Sequence, residues 1–322
     1  MAPISETPVV IGSIGELLVE FVCAEKGGRN LVAAPYIGPF PSGAPGIFID
    51  QAARIAASFG GRAVFAGAVG DDAFGRVVLD RLVADGVDPG LIRVVPGVPT
   101  GSAFVSYNDD GSRDFVFNIG HSAAARMPGL DEIAAGFLAA GISVLHISGS
   151  MLGDVAMRAT GLALCERLVD QGVAISIDPN IRAELISDAG YIGALQRIIA
   201  MAGYVLPSDA DADVLWPEQA FDAWSARLLA GAAQVVVLKR GDQGCIGRDA
   251  GGIVDLAAHR VSVLDPTGAG DCFCATLVTL LAAGQALPDA LARANAAGAL
   301  AVQKLGPMEG NSGLAEIDAL KG

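Results

Sequence analysis

The sequence predicts an α/β fold, a doubly wound and mostly parallel sheet with helices on both faces and a small β-sheet lid outside it. Three observations carry that expectation. Short apolar runs alternate with longer helical patterns along most of the chain, and two segments break the rhythm with period-two alternation. The 322 residues, 52% hydrophobic and only 17% charged, supply one large core and exclude a disordered chain.

Taken in order, the runs at 9–11, 63–69, 144–147, 173–177, 204–206 and 235–238 have the length and β-branched content of buried strands. Helical patterns fall near 71–85, 154–171, 189–201 and 217–231. From residue 270 the chain becomes helical, with 270–283 closed by Gly284, then 288–304 and a short helix near the C-terminus. Ligands in such a sheet gather at the C-terminal ends of the strands.

The first exceptional segment, 14–22, places Glu16, Leu18 and Glu20 on one face and Leu17, Val19 and Phe21 on the other. The second, 103–118, is a hairpin whose strands AFVSY and RDFVF meet at the turn Asn108-Asp109-Asp110-Gly111. Together they form a lid that could cover a ligand. The stretch 30–49 is broken by Pro35, Pro39, Pro41 and Pro45 and is expected to be a loop. No repeat or dividing linker interrupts residues 1–322, so the expectation is one domain with the lid segments inserted in it.

A net charge of −14 repels nucleic-acid backbones and anionic membranes, and neither is an expected partner. Cys23, Cys165, Cys245, Cys272 and Cys274 contain no C-x-x-C pair, so neither a disulfide framework nor a zinc site is expected. The start of the chain has no signal-peptide pattern, no apolar run reads as a membrane span, and a cytoplasmic location fits.

The most informative run is Asp265-Pro266-Thr267-Gly268-Ala269-Gly270-Asp271, followed at once by an apolar helix. Gly268 and Gly270 permit a tight turn whose amides, with the first free N–H groups of the helix, converge on an anion. The run lacks the lysine and spacing of a Walker A loop. Asp271 puts a carboxylate beside that anion, where it can take the proton of an attacking hydroxyl, although it could also be a simple helix-starting acid. The helix dipole is expected to lower its pKa, which would make it an orienting group that accepts the proton late.

DPTGAGD with its apolar helix resembles the signature of the ribokinase (PfkB) family of sugar and nucleoside kinases. Gly15-Glu16 resembles the first strand of the fructokinase branch, GAVGDDAFG at 67–75 the family's G-x-V-G-x-D-x-x-G, and DPNIR at 178–182 its D-x-N-x-R. LKRGDQG at 238–244 and ANAAGALAV at 294–302 are similar to the segments that border the nucleotide. The resemblance implies a ribokinase-like fold and an ATP-dependent kinase in which Asp271 is the base and the amides of Gly268, Ala269 and Gly270 form the anion hole.

Three departures stand out. Glu20 replaces an aspartate of the first strand, Asp50 or Gln51 takes the place of the asparagine in G-G-x-x-x-N, and N-x-x-E reads Ser208-Asp209-Ala210-Asp211. Sequences of the tagatose kinase type resemble the SGAPGIFIDQ variant. The resemblance, together with the chain's own polar groups, implies a sugar site of Glu16, Glu20, Gly43, Asp50, Gln51, Arg113, Asn180 and Arg182. It implies a nucleotide site of Ser208, Lys239, Gly241, Gly244 and Asn295. Mg2+ is expected to be held through water with Asp211, and a monovalent cation, K+, beside Asp265. Lys239 faces the nucleotide or ends its strand; Ser208 and Asp211 serve magnesium or cap a helix. The expected substrate is a ketohexose, tagatose or fructose. The alternatives are 2-keto-3-deoxygluconate, a nucleoside, or a non-catalytic sugar-binding regulator, and a homodimer through the lids is open.

Overall fold

The computed structural model describes residues 8–109, 112–186 and 188–321; the turn residues Asp110 and Gly111 lie outside the described residues. Its strands are β1 Val10–Ile14, β2 Leu18–Cys23, β3 Tyr36–Ser42, β4 Arg62–Gly70, β5 Val87–Val95, β6 Gly101–Tyr107 and β7 Arg113–Asn118. They continue with β8 Val144–Ser148, β9 Ala174–Asp178, β10 Tyr204–Val205, β11 Val235–Lys239, β12 Cys245–Asp249 and β13 Gly252–Leu256. The helices are α1 Ala44–Ala57, α2 Ala73–Ala84, α3 Leu130–Ala140, α4 Val155–Val169, α5 Gly190–Met201, α6 Asp209–Leu215, α7 Phe221–Leu229, α8 Ala269–Ala282, α9 Leu287–Ala301 and α10 Leu314–Lys321.

Among the described residues, nine strands form one sheet in the order β13-β12-β11-β10-β9-β8-β1-β4-β5. From β11 to β5 every neighbouring pair is parallel; β12 and β13 are antiparallel additions. Each central strand is apolar on both sides, so alternate residues feed two cores. Val9, Ile11, Phe65, Val235 and Val237 pack with α1, α8 and α9. Val10, Val64, Val236 and Leu238 pack with α3, α4, α5 and α7 on the other face. The βα alternation is thus a doubly wound sheet, as expected.

The lid is a four-stranded sheet in the order β3-β2-β6-β7. Two expectations need correction here. Segment 14–22 is not one strand, because Ile14 ends β1 in the large sheet and β2 begins only at Leu18. The break is at Gly15, whose φ of +143° favours glycine and whose Cβ would lie 2.6 Å from Pro45 Cγ. The proline-rich stretch is not a loop throughout, since β3 pairs with β2 along 36–42. It is an edge strand, where Pro39 and Pro41 remove no obligatory ladder bond. The GAVGDDAFG turn anchors the lid: Asp72 caps α2 through the Gly75 amide at 2.8 Å and accepts the Thr100 amide at 2.8 Å, just ahead of β6.

Candidate active site

The C-terminal ends of β1, β8, β9 and β11 and the inner face of the lid enclose a cavity of about 440 Å³. At one end lies the glycine turn. Gly268 is the N-cap of α8 at φ +81°, and a Cβ there would sit 2.4 Å from the Pro307 carbonyl oxygen, so only glycine fits. The start of α8, where the first N–H groups have no partner within the helix, lies at the cavity wall. Asp271, in the first turn, lines it together with Gly268 and Gly270; Ala269 starts the helix without contributing to the wall.

The electrostatics of Asp271 reverse the expectation from the helix dipole. Its pKa is raised to about 7, first because burial penalises the charged carboxylate and next because Asp178 lies nearby, while Lys239 and Arg182 pull it back. A base near neutrality suits proton removal from an alcohol better than a fully acidic carboxylate. The dipole is real, but desolvation outweighs it.

Behind Asp271, the Lys239 ammonium is ion-paired to Asp178 and lies 3.5 Å from Cys274 Sγ. Lys239 lines the cavity close to Gly270, where a Cβ would be 3.6 Å from its Nζ. Asp178 begins the DPNIR run and went unrecognised as a site residue; its position as the last residue of a central strand was the available signal. Asn180, at φ +37°, donates to Ser148 Oγ at 3.1 Å, and both it and Arg182 line the cavity.

At the opposite end, Glu16 and Glu20 are buried at 3% exposure each. Ser150 donates to Glu16 Oε1 at 2.6 Å and Ser42 to Glu20 Oε2 at 3.2 Å, yet Glu16 Oε2 and Glu20 Oε1 have no partner. Burial pushes both pKa values up to about 7, with the charge of Asp265 adding to the effect at Glu20. Gly43, at φ +105°, turns the chain beside them, where a Cβ would meet the Glu16 carbonyl oxygen at 2.4 Å. Arg113 and Arg182 lie 5.6 Å and 6.0 Å from the centre of the Phe115 ring. Phe115, Phe117 and Ile119 complete an apolar wall.

Asp50 and Gln51 are not at the cavity. Asp50 is fully buried against Arg81 at 3.3 Å and accepts from Asn311 Nδ2 at 2.5 Å; Gln51 donates to Thr276 Oγ1 and the Ser312 carbonyl, both at 3.0 Å. They tie α1 to α8 and the C-terminal segment. The residues of α1 that reach the cavity are Ala44, at its start, and Ile47 one turn on. Counting G-x-x-x-N from Gly43 leads to that position, so correct spacing was the missed signal.

The remaining expectations separate as well. Ser208 caps α6, and Asp211 accepts from the Ser208 amide and hydroxyl and from the Ile181 amide, while both residues line the cavity. Gly241 lines it too. Gly244 instead packs its backbone against the Leu256 carbonyl, where a Cβ would be 2.0 Å away, and Asn295 bonds the Ala257 carbonyl at 2.8 Å away from this cavity. Asp265 is fully buried below the turn.

Comparison with known proteins agrees with this architecture. The chain is 30% identical to fructokinase-1 of Oryza sativa subsp. japonica over 97% of both chains. An E. coli protein solved with ATP and Mg2+ under the provisional name ribokinase II superposes with a TM-score of 0.88 at 36% identity, covering 97% of this chain and 98% of that one. A Vibrio cholerae O395 fructokinase solved with fructose, ADP and potassium ion has a TM-score of 0.82 at 25% identity, covering 99% and 100%. The pfkB family carbohydrate kinase model matches residues 13–312, and the chain belongs to the pfkB family of carbohydrate kinases.

Proposed function

We propose that the protein transfers the γ-phosphoryl group of ATP to a primary hydroxyl of a neutral ketohexose, fructose or tagatose. The observation that carries the reading is a single cavity with an amide-lined helix start and a near-neutral carboxylate at one end, and two buried glutamates with unpaired oxygens at the other. Buried polar atoms without partners are rare in native proteins, and hydroxyl donors would satisfy these. In the reaction the hydroxyl oxygen forms the new bond to phosphorus as its proton passes to Asp271. The bond from phosphorus to the β-bridging oxygen breaks and ADP leaves. The amides of Gly268 and Gly270 at the cavity hold the migrating group, and Lys239 adds positive charge beside them.

Among the described residues no three His, Cys, Asp or Glu side chains cluster as a metal cage, which suits a magnesium ion carried by the nucleotide and held through water, with Asp211 at the cavity. Magnesium would neutralise charge on the phosphates. Asp265 takes three donors and, with roughly four acceptor positions on a carboxylate, retains room for a monovalent cation such as the potassium of the Vibrio enzyme. Residues 1–322 act as one kinase unit. We place it in the cytoplasm, in keeping with five free, buried cysteines; no helix among the described residues is long and apolar enough to cross a membrane. The open edges of β3 and β7, with exposed Ile37 and Val116, favour pairing of lids in a homodimer.

Arg113 and Arg182 form no ion pair among the described residues, and this favours a second substrate, the acid 2-keto-3-deoxygluconate. The test is ADP release with D-fructose, D-tagatose, 2-keto-3-deoxygluconate, D-ribose and adenosine. A ketohexose should lead in kcat/KM. A lead of about tenfold for the acid or for adenosine would overturn the choice of sugar, and no turnover with any of them would overturn the kinase reading.

A further inference from the structure

The lid touches the phosphoryl-binding turn through the closed end of its hairpin, beside the 108–112 connection. Tyr107 ends β6 and stands opposite Arg113, the first residue of β7. The Tyr107 hydroxyl donates to Asp265 Oδ1 and lies 3.2 Å from Thr267 Oγ1; Arg113 Nη1 donates to that same Thr267 oxygen at 3.3 Å. Asp265 in turn accepts the Thr267 amide on Oδ1 at 2.9 Å and the Gly306 amide on Oδ2 at 2.9 Å. Gly306 precedes Pro307, whose carbonyl packs against Gly268 at the cap of α8. One fully buried carboxylate thus fixes both chain segments that shape the glycine turn, and a side chain from the sugar-covering sheet supplies one of its three donors.

We propose that Tyr107 is a positioning residue for the glycine turn, holding it through Asp265 and Thr267 in the arrangement that receives the phosphoryl group when the lid lies over the cavity. Resting on the kinase reading above, this makes the sugar side and the phosphoryl side of the site one mechanical unit. Lifting the lid removes the hydroxyl from Asp265 and loosens the turn, so a complete anion site and a covered sugar occur together.

Tyr107→Phe keeps the ring and removes only the hydroxyl. In the protein without substrates, hydrogen exchange at residues 265–270 should quicken by about tenfold, with the rest of the chain unchanged. With the preferred sugar, kcat should fall by about tenfold while the sugar KM stays within about twofold; deleting a direct donor to the reacting group costs about 10²–10³-fold, and Tyr107 acts one step removed. Thr267→Val removes the turn's hydroxyl from both Tyr107 and Arg113 and leaves the bond to Asp265, so the double variant should lose less than the product of the two single losses. Unchanged exchange at 265–270, an unchanged kcat, or equal losses in kcat and sugar binding would each overturn the proposal. The exchange measurement needs no turnover, so it judges the positioning role even if the sugar panel defeats the kinase reading. Should Tyr107→Phe not fold, Thr267→Val carries both measurements.

Discussion

Asp50 in α1 and Glu20 in β2 are both carboxylates sunk in protein, at 0% and 3% exposure, and burial raises both pKa values to about 7. Their surroundings differ. Asp50 has the guanidinium of Arg81, a contact to Arg54 and the amide of Asn311, whereas Glu20 lines the cavity with one serine hydroxyl and one buried oxygen without a partner. Burial and pKa alone would rank them together. The completeness of their hydrogen bonding separates them: the satisfied acid holds the fold, and the unsatisfied one waits for a ligand.

The largest expected effect lies at the other end of the cavity and tests whether the bare glutamates belong to a catalytic site at all. Asp271→Asn removes the proton acceptor and keeps the shape, so kcat should fall by about 10²–10⁴-fold with no loss in the thermal midpoint. In the wild type, kcat/KM should climb as the pH rises through about 7, the region where Asp271 loses its proton. Glu16 and Glu20 titrate in the same region, so the limb is a property of the group. Retention of near wild-type turnover by Asp271→Asn would remove the site from which the comparison takes its meaning.

Asp50→Ala comes next. Removing Asp50 leaves Arg81 to Asp85 and Glu309 but takes the acceptor from the buried Asn311 amide, and urea unfolding should register a loss of about 1–3 kcal/mol, with the sugar KM of the surviving folded protein unchanged. A raised KM at unchanged stability would return Asp50 to the sugar site and break the comparison. Glu20→Gln should behave in the opposite sense: kcat/KM for the sugar falls by about tenfold to a hundredfold, the worth of a hydrogen bond to a charged group, and stability at pH 8 is not reduced.

The same contrast explains what was legible in the sequence. The phosphoryl end was readable because its parts are contiguous: a glycine turn, a free helix start and Asp271 lie within seven residues, and local backbone chemistry dictates their geometry. The sugar end is assembled from β1, the lid, β8 and β9, so Glu16 and Glu20 were named from a local pattern, Gly43, Arg113, Asn180 and Arg182 only with the help of the family resemblance, and the apolar wall of Phe115, Phe117 and Ile119 not at all. Asp50 and Gln51 were misplaced because a polar residue one turn along α1 from Ile47 looks equally available until tertiary packing turns it toward Arg81 or Thr276. The direction of the Asp271 pKa was misjudged for a related reason. A helix dipole can be read from sequence, and the desolvation that overrides it depends on neighbours far away along the chain.

The smallest effect is the most diagnostic, because it asks whether the bare glutamate costs the unliganded fold stability. Glu20 has a folded pKa of about 7 against an ordinary value of 4.5, so between those pH values the native state binds more protons than the unfolded one. Stability from this group is therefore full below about pH 4.5, declines as the pH rises, and levels off above about 7. Each pKa unit corresponds to about 1.4 kcal/mol, and water entering the cavity relieves part of the burial, so a decline of about 1–3 kcal/mol is expected. Glu20→Gln cannot ionise and should lack this component: its unfolding free energy, below or equal to that of the wild type at pH 4.5, should exceed it at pH 8 by about that amount. Adding the preferred sugar at pH 8 should narrow the gap, since its hydroxyls supply the donors that the bare oxygen lacks and its binding stabilises the wild type. If the variant were less stable than the wild type by the same margin at both pH values, Glu20 would be a structural acid like Asp50, and incomplete hydrogen bonding would no longer distinguish the two regions.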